Sequence, residues 1–125
     1  MEKIIIDTNI LMSVFQLKID IFEEIFKALD TNFELYILDK QQNELEKLIN
    51  DSKLSISQPA KFALKILKSK PIKIIKTTEN LPVDDLIVEQ KGYIVATVDK
   101  QLKQRLKKKG IKILTIKQKK YFILE

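Results

Sequence analysis

The side chains in this chain whose types and positions point most clearly to chemistry are acidic. Its 125 residues include neither cysteine nor histidine, which excludes disulfides, thiolate nucleophiles and the most common general base. Acid–base or metal chemistry must therefore depend on Asp, Glu, Lys, Tyr, Ser or Thr. Carboxylates favour hard cations such as Mg²⁺ or Mn²⁺. The candidate acids lie far apart along the chain: Asp7, Glu44, Asp84, Asp85 and Asp99.

Short apolar runs alternate with amphipathic segments along the whole chain. The runs predict strands at residues 3–6, 34–38, 72–75, 93–97 and 111–116, with a further short edge strand at 121–124. Helical spacing of apolar residues predicts helices between the strands. We interpret the Ser-rich residues 51–58 as a loop, with Pro59 in the first turn of the next helix. The pattern predicts an α/β fold with a mainly parallel sheet in one domain, residues 1–125.

Several acids fall where parallel strands end, which is where sites form in open α/β sheets. Asp7 follows the first strand, and Thr97 and Asp99 follow the strand that ends near Ala96. Any one acid is explained by a helix cap or a helix dipole. Several acids at one edge repel one another and raise each other's pKa. The whole set, which includes Glu44, Asp84 and Asp85 on neighbouring helices, therefore predicts a site for Mg²⁺ or Mn²⁺.

Four segments, in this order, resemble the motifs of the PIN-domain ribonuclease family. The first is Asp7-Thr8-Asn9 after an apolar strand, and the second is Asn43-Glu44-Leu45. The third is the run from Val83 to Val88, and the fourth is the strand that ends in Thr97-Val98-Asp99. The resemblance covers nearly the whole chain and is strongest to archaeal members that are similar to VapC toxins and to the PIN nuclease of small-subunit rRNA processing. One departure is Val98, where the family often has a polar residue.

The resemblance implies a three-layer α/β/α sandwich with about five strands and a metal-dependent endoribonuclease. Asp7, Asp84 and Asp99 would bind metal, and Glu44 would complete the site or orient a water. Asp84 is favoured over Asp85 because Ile87, three residues on, then faces the core. The supporting residues are expected to be Thr8 and Thr97 as hydroxyl donors, Asn9 as a helix cap that orients Asp7, and Asp85 beside the ligands.

Positive charge is concentrated in the second half of the chain, which points to a polyanion partner. The net charge of +6 is the sum of −5 in residues 1–60 and +11 in residues 61–125. Residues 100–120 contain ten Lys or Arg and no acid. The plain interpretation is a solvated helix face; the functional one is an RNA phosphate track. Its candidate residues are Lys100, Lys103, Arg105, Lys107 and Lys108, with Tyr121 and Phe122 either stacking on bases or covering the sheet edge.

Other functions remain open at this stage. A catalytically weak PIN-like module that binds RNA or a protein would fit the basic half and Val98. A receiver domain would need an acidic pair after the first strand, and a flap-type nuclease would need a longer chain. Expected partners are an antitoxin or a ribosome-assembly protein, and a second copy in a homodimer, for which residues around Leu17, Ile19 and Phe22 are candidates if they are not core. Without a signal sequence or an apolar stretch of about 20 residues, we expect a cytoplasmic protein.

Overall fold

Strands and helices alternate in the computed structural model, which describes residues 1–125. The strands are β1 (Glu2–Ile6), β2 (Phe33–Leu38), β3 (Ile72–Ile75), β4 (Ile94–Ala96), β5 (Ile113–Lys117) and β6 (Tyr121–Leu124). The helices are α1 (Thr8–Leu17), α2 (Ile21–Leu29), α3 (Asp39–Asp51), α4 (Leu54–Ser69), α5 (Val83–Glu89) and α6 (Lys100–Lys108).

All six strands belong to one sheet, in the order β3-β2-β1-β4-β5-β6. The first five are parallel and β6 is antiparallel to β5. The predicted mainly parallel α/β fold is therefore confirmed, with six strands where about five were expected. The strand order reverses at β1, which lies between β2 and β4. In doubly wound sheets, ligands bind beyond the carboxyl ends of the strands at such a point.

The two faces of the sheet carry separate apolar cores, because successive side chains of a strand point to opposite faces. Ile4 and Ile6 join a core with residues of α1, α2, α3 and α4. Ile5 faces the other way and packs with residues of α5 and α6. All three isoleucines are fully buried, and each such side chain stabilises the fold by ~1.5–3 kcal/mol. This is the three-layer α/β/α sandwich expected from the resemblance.

The start of α4 differs from the sequence prediction. The helix begins at Leu54, within the predicted loop, and Pro59 lies in its interior and not in its first turn. A proline there lacks the backbone N–H that would complete the helix ladder. Tertiary packing outweighs this cost: Ser57, Pro59, Ala60 and Ala63 are all buried, where α4 contacts α1 and α3. Small side chains permit that close approach.

At two helix starts, those of α3 and α1, the N-cap residue makes no side-chain capping bond. Asp39 is the first residue of α3, whose N-cap is Leu38; the Asp39 carboxylate accepts hydrogen bonds from Lys40 and from the backbone and hydroxyl of Thr77. Asn9 is the second residue of α1 and is exposed, so it does not cap that helix. Asp7 occupies the N-cap position, but its side chain makes no capping bond.

The part of the chain from α6 to β6 agrees more closely with the sequence predictions. Asp99 caps α6 by accepting a hydrogen bond from the Leu102 backbone at 2.9 Å. Gly110 follows α6 with φ of 71°, the left-handed conformation expected after a helix C-terminus. Phe122 belongs to the core and covers the sheet, whereas Tyr121 is exposed. No helix has both the length and the apolar character needed to cross a membrane.

Candidate active site

A cavity of ≈ 380 Å³ opens beyond the carboxyl ends of β1 and β4. It combines residues from both sides of the sheet: the start of α1, the second half of α3, the start of α5 and the residue that caps α6. Four of the acids predicted from the sequence line it. The lining residues are Asp7, Thr8, Asn9, Glu44, Lys47, Leu48, Asp51, Ser52, Val83, Asp84 and Asp99.

Asp7 lies at the base of the cavity and is 6% exposed. Its backbone N–H donates to the carbonyl of Ala96 at 2.9 Å, which fixes the end of β1 against the end of β4. Its Oδ2 atom accepts a hydrogen bond from the hydroxyl of Thr97 at 2.8 Å. Burial raises the pKa of Asp7, the Thr97 hydrogen bond opposes that rise, and the charges of Asp84 and Asp99 add to it. Asp7 is therefore a carboxylate that a cation would stabilise.

A buried hydrogen-bond chain orients Glu44 on the opposite wall. The side-chain amide of Gln41, which is fully buried, donates to the Ile6 carbonyl at 2.6 Å and to the Thr8 hydroxyl at 3.2 Å. The Thr8 hydroxyl in turn donates to Oε1 of Glu44 at 3.1 Å. Partial burial raises the pKa of Glu44, the Thr8 bond lowers it, and the charges of Asp7 and Asp84 raise it. Glu44 is thus coupled to the acids that extend from the sheet edge.

Asp84 and Asp99 complete the acidic wall from the far side of the sheet. Desolvation and the charge of Asp99 raise the pKa of Asp84, while the cation of Arg105 lowers it. The backbone N–H of Asp99 donates to the Thr97 hydroxyl at 3.1 Å. Thr97 therefore connects two of the predicted ligands, since it also donates to Asp7.

Asp85 has a different environment from its neighbour. It does not line the cavity, and its Oδ1 atom accepts a hydrogen bond from Arg105 at 2.8 Å. The structure therefore places Asp84 toward the predicted site and Asp85 toward α6. Ile87 is fully buried, as the argument for Asp84 required. Leu86 and Val88 on α5 are also buried, because the helix packs in the second core.

The donor set fits a hard divalent cation in chemical type and in charge. Oxygen donors line a shared cavity, and three of the acids have raised pKa values to which the charges of the others contribute. No three acidic side chains are yet close enough to form a coordination sphere. These carboxylates would have to lie closer to one another to hold a metal ion.

The predicted RNA-binding residues lie on and beside α6, and three of them are already paired with acids. Lys103 and Lys107 approach Glu125 at 3.7 and 3.5 Å, and Arg105 pairs with Asp85. Lys117 also approaches Glu125, at 3.9 Å. The remaining two predicted residues, Lys100 and Lys108, are exposed and form no salt bridge. Leu102 and Leu106 are buried on the opposite side of the helix, as the spacing predicted.

Four residues of the site escaped the sequence interpretation: Gln41, Lys47, Asp51 and Ser52. Lys47 and Asp51 lie three and seven residues after Glu44, so helical periodicity places them on the same face. That spacing is the signal that would have found them. Gln41 offered no such signal, because its role depends on contacts with Ile6 and Thr8 on a distant segment.

The expected apolar surface near the N-terminal helices is also present. Ile19 and Phe22 pack partly against the core and also border a groove between α1, α2 and α4. The aromatic side chains of Phe15 and Phe62 lie in the same groove, with ring centroids 5.1 Å apart, and each is 38% exposed. Leu17 is half-buried and does not line the groove.

Comparison with known proteins identifies the family to which this fold belongs. Residues 4–119 match the family described as a PIN like domain. Ribonuclease VapC4 of Methanocaldococcus jannaschii is 39% identical over 98% of this chain and 95% of its own. The rRNA-processing protein fcf1 of Schizosaccharomyces pombe is 37% identical, and the match covers 90% of this chain and 58% of that protein. The solved structure of the PIN domain endonuclease Utp24 superposes with a TM-score of 0.83 at 35% identity, covering 98% of this chain and 90% of that one. The chain belongs to the PIN-domain family.

Proposed function

We propose that this chain, as a single domain, is an endoribonuclease that depends on Mg²⁺ or Mn²⁺. The observation that carries the proposal is the convergence of Asp7, Glu44, Asp84 and Asp99 on one cavity at the point where the strand order reverses. These acids come from four separate segments of the chain. Their charges contribute to the raised pKa values of Asp7, Glu44 and Asp84, which is a cost to folding that a cation would relieve.

Each acid has a proposed role. Asp7, Asp84 and Asp99 would hold the metal, and Glu44 would complete the site or orient the attacking water. The metal would stabilise the charge that develops on the phosphate and lower the pKa of a bound water. Thr97 holds Asp7 in place and Thr8 holds Glu44. The two hydroxyls expected as donors thus orient carboxylates.

RNA is the proposed substrate because of the charge distribution and the relatives. VapC4 is named a ribonuclease and Utp24 an endonuclease. In this chain, Lys100 and Lys108 on α6 are exposed and available to phosphates. Arg105 and Lys107 would join them by exchanging their acidic partners for phosphate oxygens, since ion pairs of exposed cations contribute only ~0–1 kcal/mol. Lys103, whose side chain is only 18% exposed, would do so at a greater cost.

Two biological roles follow from the relatives, a VapC-type toxin and an rRNA-processing nuclease. The first predicts an antitoxin as a partner and the second a ribosome-assembly protein. The groove that contains Phe15 and Phe62 supports the further proposal of a homodimer or a protein partner, because exposed aromatic side chains in one place mark interaction surfaces. Light scattering on the purified protein would test the dimer.

The alternative function is a PIN-like module that binds RNA without cutting it. The observation in its favour is that no three acids are close enough to form a coordination sphere. A module that only binds RNA would not explain why Asp7, Glu44, Asp84 and Asp99 share one cavity.

A matched pair of variants tests the nuclease. Asp99→Asn removes an acid from the cavity, whereas Asp85→Asn removes an adjacent acid that lies outside it. With a fluorescent single-stranded RNA and Mn²⁺, we expect cleavage by the wild type and by D85N, none by D99N, and none by any protein in EDTA. Equal cleavage by D99N and the wild type would contradict the proposal.

A further inference from the structure

The acidic cavity continues into a second depression of ≈ 440 Å³ between α3 and the segment that leads into α5. Both volumes lie in the ~300–1,000 Å³ range of small-ligand sites. The two share the residues Glu44, Lys47 and Val83, so they form one continuous surface. We call the second depression the α3 groove. Its lining residues are Lys40, Asn43, Glu44, Lys47, Asn80, Leu81, Pro82 and Val83.

The net charge of the lining residues changes sign between the acidic cavity and the α3 groove. The acidic cavity is lined by Asp7, Glu44, Asp51, Asp84 and Asp99 against one cation, Lys47. The α3 groove is lined by two lysines against Glu44 alone. A cation therefore suits the first, whereas an anion suits the second. A strand of RNA offers phosphates on either side of the bond that is cut, so it would meet both kinds of surface.

Lys47 lies at the junction and is free to bind an anion. It is exposed, and it is absent from every salt bridge in the structure. It follows Glu44 by three residues on α3, which puts both side chains on one face. By contrast, Lys103, Arg105 and Lys107 of α6 are all paired with acids.

The rest of the α3 groove has the chemistry of a nucleotide site. Asn43 and Asn80 are exposed on opposite walls, and each amide carries both donors and acceptors, which match the edge of a base. Leu81 and Val83 supply apolar surface for the face of that base.

The wall that carries Asn80 is tied to α3. Asp39 accepts hydrogen bonds from the Thr77 hydroxyl at 2.7 Å and from its backbone at 3.1 Å. Lys40 donates to the carbonyl of Glu79. The groove is therefore formed before any ligand arrives, which lowers the ordering cost of binding.

We propose that the α3 groove binds the nucleotide adjacent to the phosphate that is cut, with Lys47 contacting its phosphate and Asn43 and Asn80 contacting its base. The inference rests on the proposed ribonuclease function. It assigns substrate binding to α3, on the opposite side of the acidic cavity from the basic helix α6.

Binding, measured separately from cleavage, tests the inference. In the Asp99→Asn background without metal, fluorescence anisotropy would follow a short single-stranded RNA over a range of salt concentrations. We expect Lys47→Gln to weaken binding by about two- to tenfold and to reduce the slope of log K against log salt by about 0.7, the value for one phosphate contact. The matched control is Lys61→Gln, an exposed lysine on α4 outside both depressions, and it should change neither.

Base contact is tested by a second pair of variants. The double variant Asn43→Ala/Asn80→Ala should alter the order of affinities for the four RNA homopolymers and leave the salt slope unchanged. Asn50→Ala, an exposed asparagine near the end of α3, should preserve the order. The inference is overturned if K47Q behaves as K61Q does, if the homopolymer order survives the double variant, or if the background protein binds no RNA. Because cleavage is not measured, a protein that binds RNA without cutting it would not produce any of these results.

Discussion

Thr97 donates its fully buried hydroxyl to Oδ2 of Asp7 across 2.8 Å, joining residues that are 90 positions apart in the chain. The same hydroxyl accepts the backbone N–H of Asp99. A single side chain at the end of β4 therefore positions an acid from β1 and an acid from the start of α6. The acidic cavity depends on the parallel pairing of β1 with β4, which brings both strand ends to one edge.

The first prediction concerns this hydrogen bond. Thr97→Val keeps the shape of the side chain and removes the donor, so a buried carboxylate oxygen loses its partner. We expect the free energy of unfolding to fall by ~1–3 kcal/mol. Because the Thr97 bond lowers the pKa of Asp7, its loss should also move the acid limb of the pH–rate profile to higher pH. Thr115→Val, at an equally buried threonine on β5, is the control for stability. An unchanged acid limb would show that Thr97 does not hold Asp7.

The second prediction concerns the cost of the acidic cluster. The raised pKa of Asp7 means that the folded protein binds this proton more tightly than the unfolded chain. The metal-free protein therefore loses stability as pH rises from the ordinary carboxyl range through the raised pKa, and the loss is complete above it. Asp7→Asn removes this penalty. In EDTA near neutral pH, it should stabilise the fold by ~0.5–2 kcal/mol.

The direction of the pH dependence distinguishes the loss of the charge penalty at Asp7 from a change in side-chain packing. The advantage of D7N over the wild type should shrink as pH falls through the raised pKa of Asp7, toward the ordinary carboxyl range near about pH 4. Chemical denaturation at several pH values measures it. A D7N protein that is less stable than the wild type at neutral pH, or an advantage that grows on acidification, would contradict the account.

The third prediction distinguishes the two neighbouring acids of α5. Mn²⁺ should raise the melting temperature of the wild type, because a ligand that binds only the folded state stabilises it. Asp84→Asn should abolish most of that rise, whereas Asp85→Asn should retain it and lose only the contact with Arg105. Thermal scans with and without Mn²⁺ provide the measurement. The assignment of Asp84 would be wrong if D85N were the variant that lost the response.

The fourth prediction concerns the cations held by Glu125. This side chain lies within 4 Å of Lys103, Lys107 and Lys117, so RNA must compete with it for them. Glu125→Gln should strengthen binding of single-stranded RNA about two- to fivefold at low salt, because it releases the cations of Lys103, Lys107 and Lys117 to bind phosphates. Glu23 pairs with Lys27 on α2, so Glu23→Gln is the control for removing an acid from an ion pair. Equal RNA affinities for E125Q and E23Q would argue against an RNA track on α6.

The sequence predicted those features that depend on local pattern. Apolar runs marked the strands, and the acids that follow them therefore fell at the sheet edge. The sequence predicted that Ile87 on α5 faces the core, and Ile87 is fully buried. Asp99 was recognisable as a helix cap and does cap α6.

The features that could not be predicted from the sequence depend on contacts between distant segments. Gln41 looked like an ordinary helix residue, yet it is fully buried because it connects β1 to Thr8. The pairing of Lys103 and Lys107 with Glu125 arises only because β6 folds back beside β5 and brings the residue after it toward α6. The early start of α4 reflects packing against α1 and α3, which outweighs weak helix propensity and an internal proline.

Single-turnover cleavage of a fluorescent single-stranded RNA by the wild type and by a double variant, Asp7→Asn/Asp84→Asn, tests most directly whether the acidic cavity is the active site. Each protein would be assayed with Mn²⁺ or Mg²⁺ and after addition of EDTA. We expect cleavage by the wild type only in the presence of metal, and none by a double variant that is folded by circular dichroism. Cleavage that persists in the double variant, or that resists EDTA, would show that the acidic cavity is not the active site.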